Sequence, residues 1–436
     1  MKSIGIGIMG LGTVGYGAAT ILVKNKDVLS IRTKCDLNVV GVLEKATDVA
    51  KENVAKLGLS PDIVTDNIEE FLATENMDIV VEVIGGTTIA KEFILKAIAA
   101  GKSIVTANKD LMAIDGKEVL DAASNKKVDL RFEASVAGGI PIIDVLKNDL
   151  IANHFDSIMG IVNGTTNYIL TRMYQEGIDF ASVLKEAQDL GYAESDPTAD
   201  VGGWDAARKV AILASIAYNS RVTLNDVYVE GIEKITADDI EAARKLGYLI
   251  KLLGIAKEEN GEIEARVHPV MIPTKHPLAS VNDTFNAVFV DGDVVGQTMF
   301  YGRGAGDLPT GSAVVGDVCS VAADMSAGTL GLKGCTCYQH KKIRTQEDFV
   351  SKFFLRMRVQ DSPGVLAAIA TIFGDNDVSL ASVVQEQGID KNKDVARLIL
   401  VTHKVKEGKF LKAKEILENS EKVYGIDNII RVEDQA

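Results

Sequence analysis

The chain has 436 residues, of which 47% are hydrophobic and 25% are charged. This composition excludes a disordered protein, and the length predicts roughly two to four domains. The 61 acidic and 47 basic side chains give a net charge of -14, which makes nucleic acid and membrane surfaces poor partners. Four cysteines are too few for a disulfide framework, and we see no apolar leader or spanning segment, so we expect reduced thiols and a cytoplasmic location.

The chain begins with a strand that leads into a glycine-rich turn. Residues 4–9 alternate glycine with long apolar side chains, and Gly10-Leu11-Gly12-Thr13-Val14-Gly15 follows them before a helical stretch to about Lys24. In a GxGxxG turn, the first glycine allows the tight turn, the second admits a pyrophosphate and the third lets helix and strand pack closely. The strand–turn–helix context favours dinucleotide binding over a chance glycine turn.

Further strands alternate with helices after this turn. A helix is predicted at residues 90–100, with Gly101 at its end. The predicted strands are residues 38–43, 78–84, 103–106 and 128–132. This alternation predicts a mostly parallel α/β sheet in a Rossmann-type nucleotide domain that covers residues 1–135. Residues 302–316 are rich in glycine, and a helix is predicted at residues 312–327. The segment at about 305–340 is predicted to return to this domain and complete it.

Two charged residues at the end of the second predicted strand bear on the choice of cofactor. Glu44 offers a carboxylate to the ribose 2′-hydroxyl of NAD, whereas Lys45 offers a cation to the 2′-phosphate of NADP. Glu44 follows Gly15 by 29 positions, farther than the roughly 20 of the usual fingerprint. A solvated charge pair at a strand end remains an alternative. We expect NADP to be usable, with NAD as the other possibility.

The strand predicted at residues 103–106 leads into Ala107-Asn108-Lys109. In open parallel sheets, ligands bind outside the carboxyl ends of the strands. The side chain of Lys109 is therefore well placed to meet an anionic group of a cofactor or a substrate. An exposed lysine in a loop is the alternative interpretation of the same residue.

A second domain is predicted from the change in pattern after Glu133. Ala137-Gly138-Gly139-Ile140-Pro141 interrupts the alternation, and longer helices are predicted at residues 180–190, 204–218 and 237–246. Strands at 266–272 and 286–290 would supply an antiparallel sheet. We interpret residues 136–304 as an α+β domain for substrate binding and dimerisation, in a homodimer or homotetramer.

An acidic stretch in this domain carries the strongest chemical signal of the sequence. Residues 191–209 include Glu194, Asp196, Asp200 and Asp205 and end at Lys209. Asp205 and Lys209 are four residues apart and share one face of a helix that continues with an apolar segment. A surface salt bridge worth about 0.3–0.5 kcal/mol is one interpretation, and a lysine positioned for proton transfer in a cleft is the other.

The C-terminal segment has the pattern of a small separate domain. Strands are predicted at 353–359, 379–385 and 396–402, and a helix begins at Val365 after the turn Asp361-Ser362-Pro363-Gly364. A second helix and a possible last strand complete a ferredoxin-like topology in residues 351–436.

These motifs together resemble those of the homoserine dehydrogenases of the long form, which end in an ACT domain. Residues 187–209 match the family signature of an alanine, a glycine, an Asp-Pro, and then two aspartates and a lysine at fixed spacing. Residues 107–109, 163–168 and 302–306 provide supporting matches, so the resemblance covers essentially the whole chain. It implies reversible, NAD(P)-dependent reduction of L-aspartate 4-semialdehyde to L-homoserine in threonine and methionine biosynthesis.

The resemblance also implies roles for individual residues. Lys209 would exchange a proton with the substrate oxygen. Asp205 would help to hold this oxygen and the lysine in position. Glu194 and the backbone around Tyr192 would bind the substrate ammonium. Gly164 and Thr165 would bind the substrate carboxylate. Lys109 would lie near both the substrate and the nicotinamide. The cofactor would contact Gly10, Gly12, Thr13, Val14, Gly15, Lys45, Lys109, Gly304 and Gly306. Arg303 and Asp307 depart from the residues usual in the later glycine loop and bear on cofactor preference.

Two further sites are implied by the resemblance alone. The backbone carbonyls of Glu133, Val136, Gly138 and Ile140 would hold a sodium or potassium ion, and a glycine hinge without an ion is the alternative. Asp361, Pro363, Gly364 and Val365 of the ACT domain would bind an effector, for which threonine, the end product of the pathway, is expected. A domain that only dimerises the enzyme is the alternative.

Two other functions compete with this one. A non-catalytic amino-acid-sensing regulator could retain the dinucleotide fold, but Glu194, Asp205 and Lys209 are all present, which favours an enzyme. A semialdehyde dehydrogenase that forms a thioester needs a nucleophilic cysteine. None of the four cysteines falls in residues 187–209.

Overall fold

The computed structural model describes residues 1–332, 334–386 and 394–434. Within them, the strands are β1 (Lys2–Met9), β2 (Cys35–Leu43), β3 (Val64–Thr65), β4 (Met77–Glu82), β5 (Ser103–Thr106), β6 (Leu130–Arg131), β7 (Phe155–Ile161), β8 (Tyr228–Val229), β9 (Tyr248–Glu259), β10 (Glu262–Pro273), β11 (Phe285–Gly292), β12 (Gly296–Arg303), β13 (Lys342–Ile343), β14 (Val350–Gln360), β15 (Leu380–Glu386), β16 (Val395–Thr402), β17 (Val405–Lys406) and β18 (Val423–Val432). The α-helices are α1 (Thr13–Lys24), α2 (Lys26–Thr33), α3 (Thr47–Lys56), α4 (Ile68–Leu72), α5 (Thr88–Ala99), α6 (Lys109–Ile114), α7 (Gly116–Lys126), α8 (Gly164–Glu176), α9 (Phe180–Asp189), α10 (Thr198–Val201), α11 (Trp204–Ala217), α12 (Ala237–Lys245), α13 (Asp307–Ala327), α14 (Val365–Asp375) and α15 (Glu407–Glu418).

The chain divides into two units. The first unit comprises Met1–Ile158, Ala211–Leu224 and Asn286–His340. The second unit comprises Met159–Val210, Asn225–Phe285 and Lys341–Ala436. The predicted division into three domains, with boundaries near residues 135, 304 and 351, stays a prediction. No helix within the described ranges is long and apolar enough to cross a bilayer.

The first unit is built on a parallel sheet with the strand order β3-β2-β1-β4-β5-β6. This confirms the Rossmann-like α/β fold. Helix α13 packs on α1 at glycines, because a Cβ on Gly17 would lie 2.3 Å from the carbonyl oxygen of Asp307 and one on Gly311 would lie 2.9 Å from the nitrogen of Ala18. Val314 and Val318 of α13 are fully buried in the same core as Ile4 of β1.

Helix α13 begins five residues before the predicted start at residue 312. The sequence there contains Gly306, Pro309 and Gly311, which indicated a loop. Pro309 is the third residue of the helix, where the backbone amide would lack a partner within the helix in any case, so proline is tolerated.

The second unit contains two antiparallel systems. Strands β9 and β10 pair along their whole length, and α11 packs close to β9 because Gly254 leaves room for Val210. The C-terminal strands follow the order β18-β14-β16-β15, which is the ferredoxin-like arrangement and confirms the ACT topology. Strand β10 also pairs with β18, in parallel, at Val270 and Arg431.

Candidate functional site

The glycine turn of the first unit has the geometry that a dinucleotide needs. Gly10 has φ +93°, and a Cβ on Gly15 would lie 2.0 Å from the carbonyl oxygen of Gly10, so both positions exclude other residues. A Cβ on Gly12 would meet nothing within 4 Å, which leaves the backbone open on that side. Thr13 and Val14 begin α1, whose first amides are free of helical partners and can bind a diphosphate.

Glu44 is tied to the glycine turn by its side chain. Its carboxylate accepts hydrogen bonds from the amides of Leu11 and Lys45, both at 2.8 Å. Lys45 itself is exposed. The long spacing from Gly15 has a structural reason, because the eight-residue helix α2 is inserted between α1 and β2.

Lys109 lies at the same edge of the sheet as the glycine turn. Strands β1, β4 and β5 are parallel neighbours, and Lys109 is the first residue of α6, which is separated from the end of β5 by only Ala107 and Asn108. Asn108 caps α6 by accepting a hydrogen bond from the amide of Leu111 at 3.0 Å, and it donates to the carbonyl of Gly86 at 2.7 Å. These bonds fix the start of α6 and with it the backbone of Lys109.

The later glycine loop packs against the segment around Gly138. A Cβ on Gly138 would lie 2.3 Å from the carbonyl oxygen of Gly304, and Gly139 donates its amide to the carbonyl of Arg303 at 3.2 Å. Gly306 has φ +125° and directly precedes α13. Glycine is therefore required at these positions by backbone contact and by backbone conformation.

The carbonyls predicted to hold a monovalent cation lie beside a buried carboxylate. The Glu133 side chain accepts three amide hydrogen bonds, from Ile142, Ile143 and Asp144, at 2.6, 2.8 and 2.7 Å. Burial raises the pKa of Glu133, although these three bonds oppose the shift. Gly138 has φ +53°, and the amide of Ile140 donates to the carbonyl of Ala137. The described residues contain no cluster of three or more His, Cys, Asp or Glu suited to a metal.

The second unit brings Lys209 and Asp205 together as their spacing predicted. The Nζ of Lys209 donates to Asp205 Oδ2 and to the carbonyl oxygen of Val162, both at 2.7 Å. The two side chains are only 11% and 10% exposed, which excludes the surface salt bridge considered above. An ammonium has three N–H donors, so these two bonds leave one donor for another oxygen.

Asn163 is a member of this cluster to which the sequence assigned no role. Its Nδ2 donates to Asp205 Oδ2 at 2.9 Å and to Asp200 Oδ1 at 2.7 Å, while its Oδ1 caps α8 through the amide of Thr166. The signal available in the sequence was an asparagine at the start of a helix after a buried strand. That pattern predicts a cap but says nothing of Asp205.

Apart from Lys109, which belongs to the first unit, the predicted substrate residues lie in the same unit as Lys209. Gly164 and Thr165 form the first turn of α8, and Thr165 Oγ1 donates to the carbonyl oxygen of Tyr192 at 2.7 Å. A Cβ on Gly164 would lie 2.8 Å from the carbonyl oxygen of Thr284, so this position requires glycine. Glu194 is exposed, and its carbonyl accepts from Gln188 at 3.1 Å.

The predicted effector residues surround the start of α14. Asp361 accepts a hydrogen bond from Gln385 at 3.2 Å, Pro363 is exposed, and Gly364 has φ +88° with open space where a Cβ would be. The side chain of Val365 is buried in the ACT core, which leaves its backbone as the part that a ligand could reach.

Lys251 on β9 is a buried lysine for which the sequence offers no functional signal. Its Nζ donates to the carbonyl oxygen of Val281 at 2.6 Å and to Asn167 Oδ1 at 2.8 Å. Burial lowers the pKa of Lys251 to about 7, although Asp283 opposes the shift. Asn167 belongs to α8, so this lysine supports the helix that carries Gly164 and Thr165.

We expect Lys251 to make stability depend on pH above neutrality. Between pH 7 and the ordinary lysine pKa of 10.5, the unfolded side chain holds a proton that the folded one has lost, so the free energy of unfolding should rise with pH. Urea unfolding at pH 7 and pH 9 should show this rise in the wild type and a smaller one in Lys251→Met. Exposed Lys275→Met is the control, and identical pH dependence in both variants would contradict the expectation.

Three family models match successive segments of the chain. Residues 10–133 match the family described as homoserine dehydrogenase, NAD binding domain, residues 141–319 match homoserine dehydrogenase, and residues 353–421 match the ACT domain. Homoserine dehydrogenase from Corynebacterium glutamicum is 45% identical over 99% of this chain and 96% of its own length. The Bacillus subtilis homoserine dehydrogenase is 41% identical over 99% of each chain.

Solved structures give the same result. The crystal structure of a homoserine dehydrogenase from Thiobacillus denitrificans is similar with a TM-score of 0.93 and 41% identity, covering 100% of this chain and 99% of that chain. A hyperthermophilic archaeal homoserine dehydrogenase in complex with NADPH has a TM-score of 0.61 and 26% identity, covering 73% of this chain and 97% of that chain.

Proposed function

Because the chain belongs to the homoserine dehydrogenase family, we propose that it catalyses the NAD(P)-dependent interconversion of L-aspartate 4-semialdehyde and L-homoserine, with Lys209 as the proton donor. The bound nicotinamide supplies or accepts the hydride. Hydride transfer requires that the nicotinamide and Lys209 act on the same carbonyl group. The observation that carries the proposal is the buried ion pair of Lys209 and Asp205.

Lys209 uses its remaining N–H to bind the aldehyde oxygen and releases a proton to that oxygen as the alcohol forms. Asp205 keeps the ammonium oriented, and Asn163 holds the other side of the same carboxylate oxygen. In the reverse direction the amine accepts the hydroxyl proton of L-homoserine. The pair is held by α11 and by the start of α8, so the positions do not depend on a long loop.

Recognition of the amino-acid end of the substrate is assigned to groups of the same unit. Glu194 binds the ammonium, with the backbone at Tyr192, and such a charge-assisted contact distinguishes an amino acid from a simple aldehyde. The amides of Gly164 and Thr165 at the start of α8 suit the carboxylate, because a helix N-terminus attracts anions. Lys109 neutralises an anionic group of substrate or cofactor.

The nucleotide contacts are assigned to Gly10, Gly12, Thr13, Val14 and Gly15. Gly304 and Gly306 are assigned to the loop that closes over the cofactor, where side chains would obstruct the nucleotide. Lys45 is assigned to the 2′-phosphate of NADP, while NAD remains usable through Glu44. A sodium or potassium ion on the carbonyls of Glu133, Val136, Gly138 and Ile140 completes the proposal, since carbonyl oxygens suit hard cations.

We expect Lys45→Glu to raise the KM for NADP by at least about tenfold, equivalent to about 1.4 kcal/mol, because it replaces a cation by a like charge beside the phosphate. The KM for NAD should change little. Lys51→Glu on α3, an exposed lysine of the same unit, is the matched control. Equal changes in the KM for NADP and the KM for NAD would contradict the assignment of Lys45 to the 2′-phosphate.

The ACT domain is proposed to bind threonine at Asp361, Pro363, Gly364 and Val365, and bound threonine is proposed to inhibit the enzyme. The enzyme is proposed to be a cytoplasmic homodimer or homotetramer.

We expect Asp361→Ala to abolish threonine inhibition, while the rate without threonine stays within about twofold of wild type. Asp375→Ala, which changes an exposed aspartate, is the control. Initial rates with and without threonine measure this. Undiminished threonine inhibition in Asp361→Ala would show that threonine binds at another site.

The activity itself is tested by absorbance at the NAD(P)H band when L-homoserine is supplied with NAD or NADP. Reduction of either nucleotide supports the proposal. Absence of reduction with both would favour the non-catalytic regulator, which the family comparisons do not support.

A further inference from the structure

Two cysteines outside the proposed catalytic machinery lie close together in the first unit. Cys335 and Cys337 belong to the segment that follows α13, and both are half-buried, whereas Cys35 is fully buried. The segment is held in place because the amide of Gln339 donates to the carbonyl of Asn219 at 2.8 Å. The pair is therefore fixed against the loop that follows α11.

The two sulfur atoms have different surroundings. The sulfur of Cys335 accepts a hydrogen bond from Arg221 Nη2 at 3.5 Å and another from the amide of Cys337 at 3.4 Å. The thiol of Cys337 instead faces the carbonyl oxygen of Ser215 at 3.6 Å and can donate to it. Lys147 and Arg221 line a cavity of about 20 Å³ together with both cysteines, which is room for a water-sized molecule.

These surroundings favour a thiolate on one sulfur alone. The neighbouring thiol of Cys337 lowers the pKa of Cys335 by hydrogen bonding to its sulfur, with help from the Cys337 amide and the charges of Arg221 and Lys147, although burial opposes the shift. The same contact between the two side chains, together with burial, raises the pKa of Cys337. Burial raises the pKa of Cys319 to about 11, so that thiol stays protonated near neutrality. The thiolate is the nucleophilic form of cysteine.

We infer that Cys335 is a hydroperoxide-reactive thiol and that Cys337 resolves its oxidised form into a disulfide. In the first step the Cys335 sulfur attacks one peroxide oxygen, the O–O bond breaks, and water or an alcohol leaves. The sulfur is oxidised by two electrons to a sulfenic acid, and the peroxide is reduced. In the second step the Cys337 sulfur attacks the sulfenic sulfur, an S–S bond replaces the S–O bond, and water leaves with the thiol proton.

The spacing of the two cysteines permits this bond. Residues i and i+2 of an extended chain have Cα atoms at most about 7 Å apart, and their side chains point to the same face. A disulfide spans Cα separations of about 4.4–6.8 Å. The two ranges of Cα separation overlap, so the i, i+2 spacing permits the bond.

The experiment uses the full chain, reduced and then exposed to a limiting amount of hydrogen peroxide. Trypsin cleavage after Lys333 and Lys341 releases one peptide with both Cys335 and Cys337, separate from the peptides of Cys35 and Cys319. We expect this peptide to lose 2 Da through disulfide formation while Cys319 stays reduced. In Cys337→Ser, Cys335 should instead accumulate a sulfenic acid that dimedone traps.

Iodoacetamide alkylation at pH 7 supplies a second measurement. In the folded protein, Cys335 should react at least about tenfold faster than Cys319. In urea the two cysteines should react at similar rates. In folded Arg221→Gln, Cys335 should react several-fold more slowly than it does in the wild type. Equal folded rates for Cys335 and Cys319, or peroxide oxidation without loss of 2 Da, would overturn the inference. These readouts do not depend on dehydrogenase activity, so the proposed function and this inference fail separately.

Discussion

Replacing Lys209 with alanine is expected to lower kcat by about 10²- to 10⁴-fold, the usual contribution of a positioned proton donor. In the proposed mechanism the Lys209 ammonium neutralises the developing alkoxide, and alanine has no N–H donor to replace it. The KM for NADPH and the direct binding of NADPH should remain close to wild type, because the glycine turn assigned to the nucleotide belongs to the first unit and Lys209 to the second. Stopped-flow rates and NADPH fluorescence titration measure the two effects separately.

Lys185→Ala is the matched control for this variant. Lys185 also forms an i,i+4 pair with an aspartate, Asp189, but the two side chains are 73% and 65% exposed. Its loss should leave kcat unchanged. A thermal melt should show that Lys209→Ala is folded, and a folded Lys209→Ala enzyme with a wild-type rate would refute the proton-donor role.

Replacing Glu407 with alanine is expected to cost about 3–5 kcal/mol of stability, because it leaves buried arginines without their carboxylate. Glu407 is 0% exposed and accepts two hydrogen bonds from Arg431, at 2.7 and 2.8 Å. Ser351 donates to the same carboxylate at 3.0 Å and accepts from Arg266 at 2.7 Å. The network joins β10 to β14, α15 and β18.

Urea unfolding followed by circular dichroism measures the Glu407→Ala effect. Exposed Glu415→Ala on the same helix should change the free energy of unfolding by less than about 0.5 kcal/mol. A Glu407→Ala loss as small as that of the control would mean that the network contributes little. A deletion that began at Ser351 would remove both Ser351 and Glu407 from Arg266, so point variants test the ACT domain with less disturbance.

The sequence was most informative where the signal is local. Strand β5 has the predicted bounds, the Rossmann turn follows β1 as expected, and the four-residue spacing of Asp205 and Lys209 predicted their ion pair. Each of these depends on residues within one or two turns of each other, so periodicity and spacing reveal it.

The features that were missed depend on residues far apart in the chain. Asn163 binds an aspartate 42 residues away, and Arg431 pairs with Glu230 across 201 residues. Lys251 lies within an apolar run, where the sequence shows burial but not the carbonyl of Val281 that accepts its hydrogen bond. Tertiary packing sets these partners, and no local pattern encodes them.

The contact of α13 with α1 has a consequence for synthesis on the ribosome. Gly17 and Ala18 of α1 pack against Asp307 and Gly311 of α13. Val314 and Val318 of α13 are among the apolar residues that cover Ile4 and Ile8. The nucleotide-binding core therefore stays incomplete until nearly three quarters of the polypeptide has emerged. During that interval the nascent N-terminal segment carries an uncovered apolar face, and transiently exposed apolar surface of this kind favours aggregation.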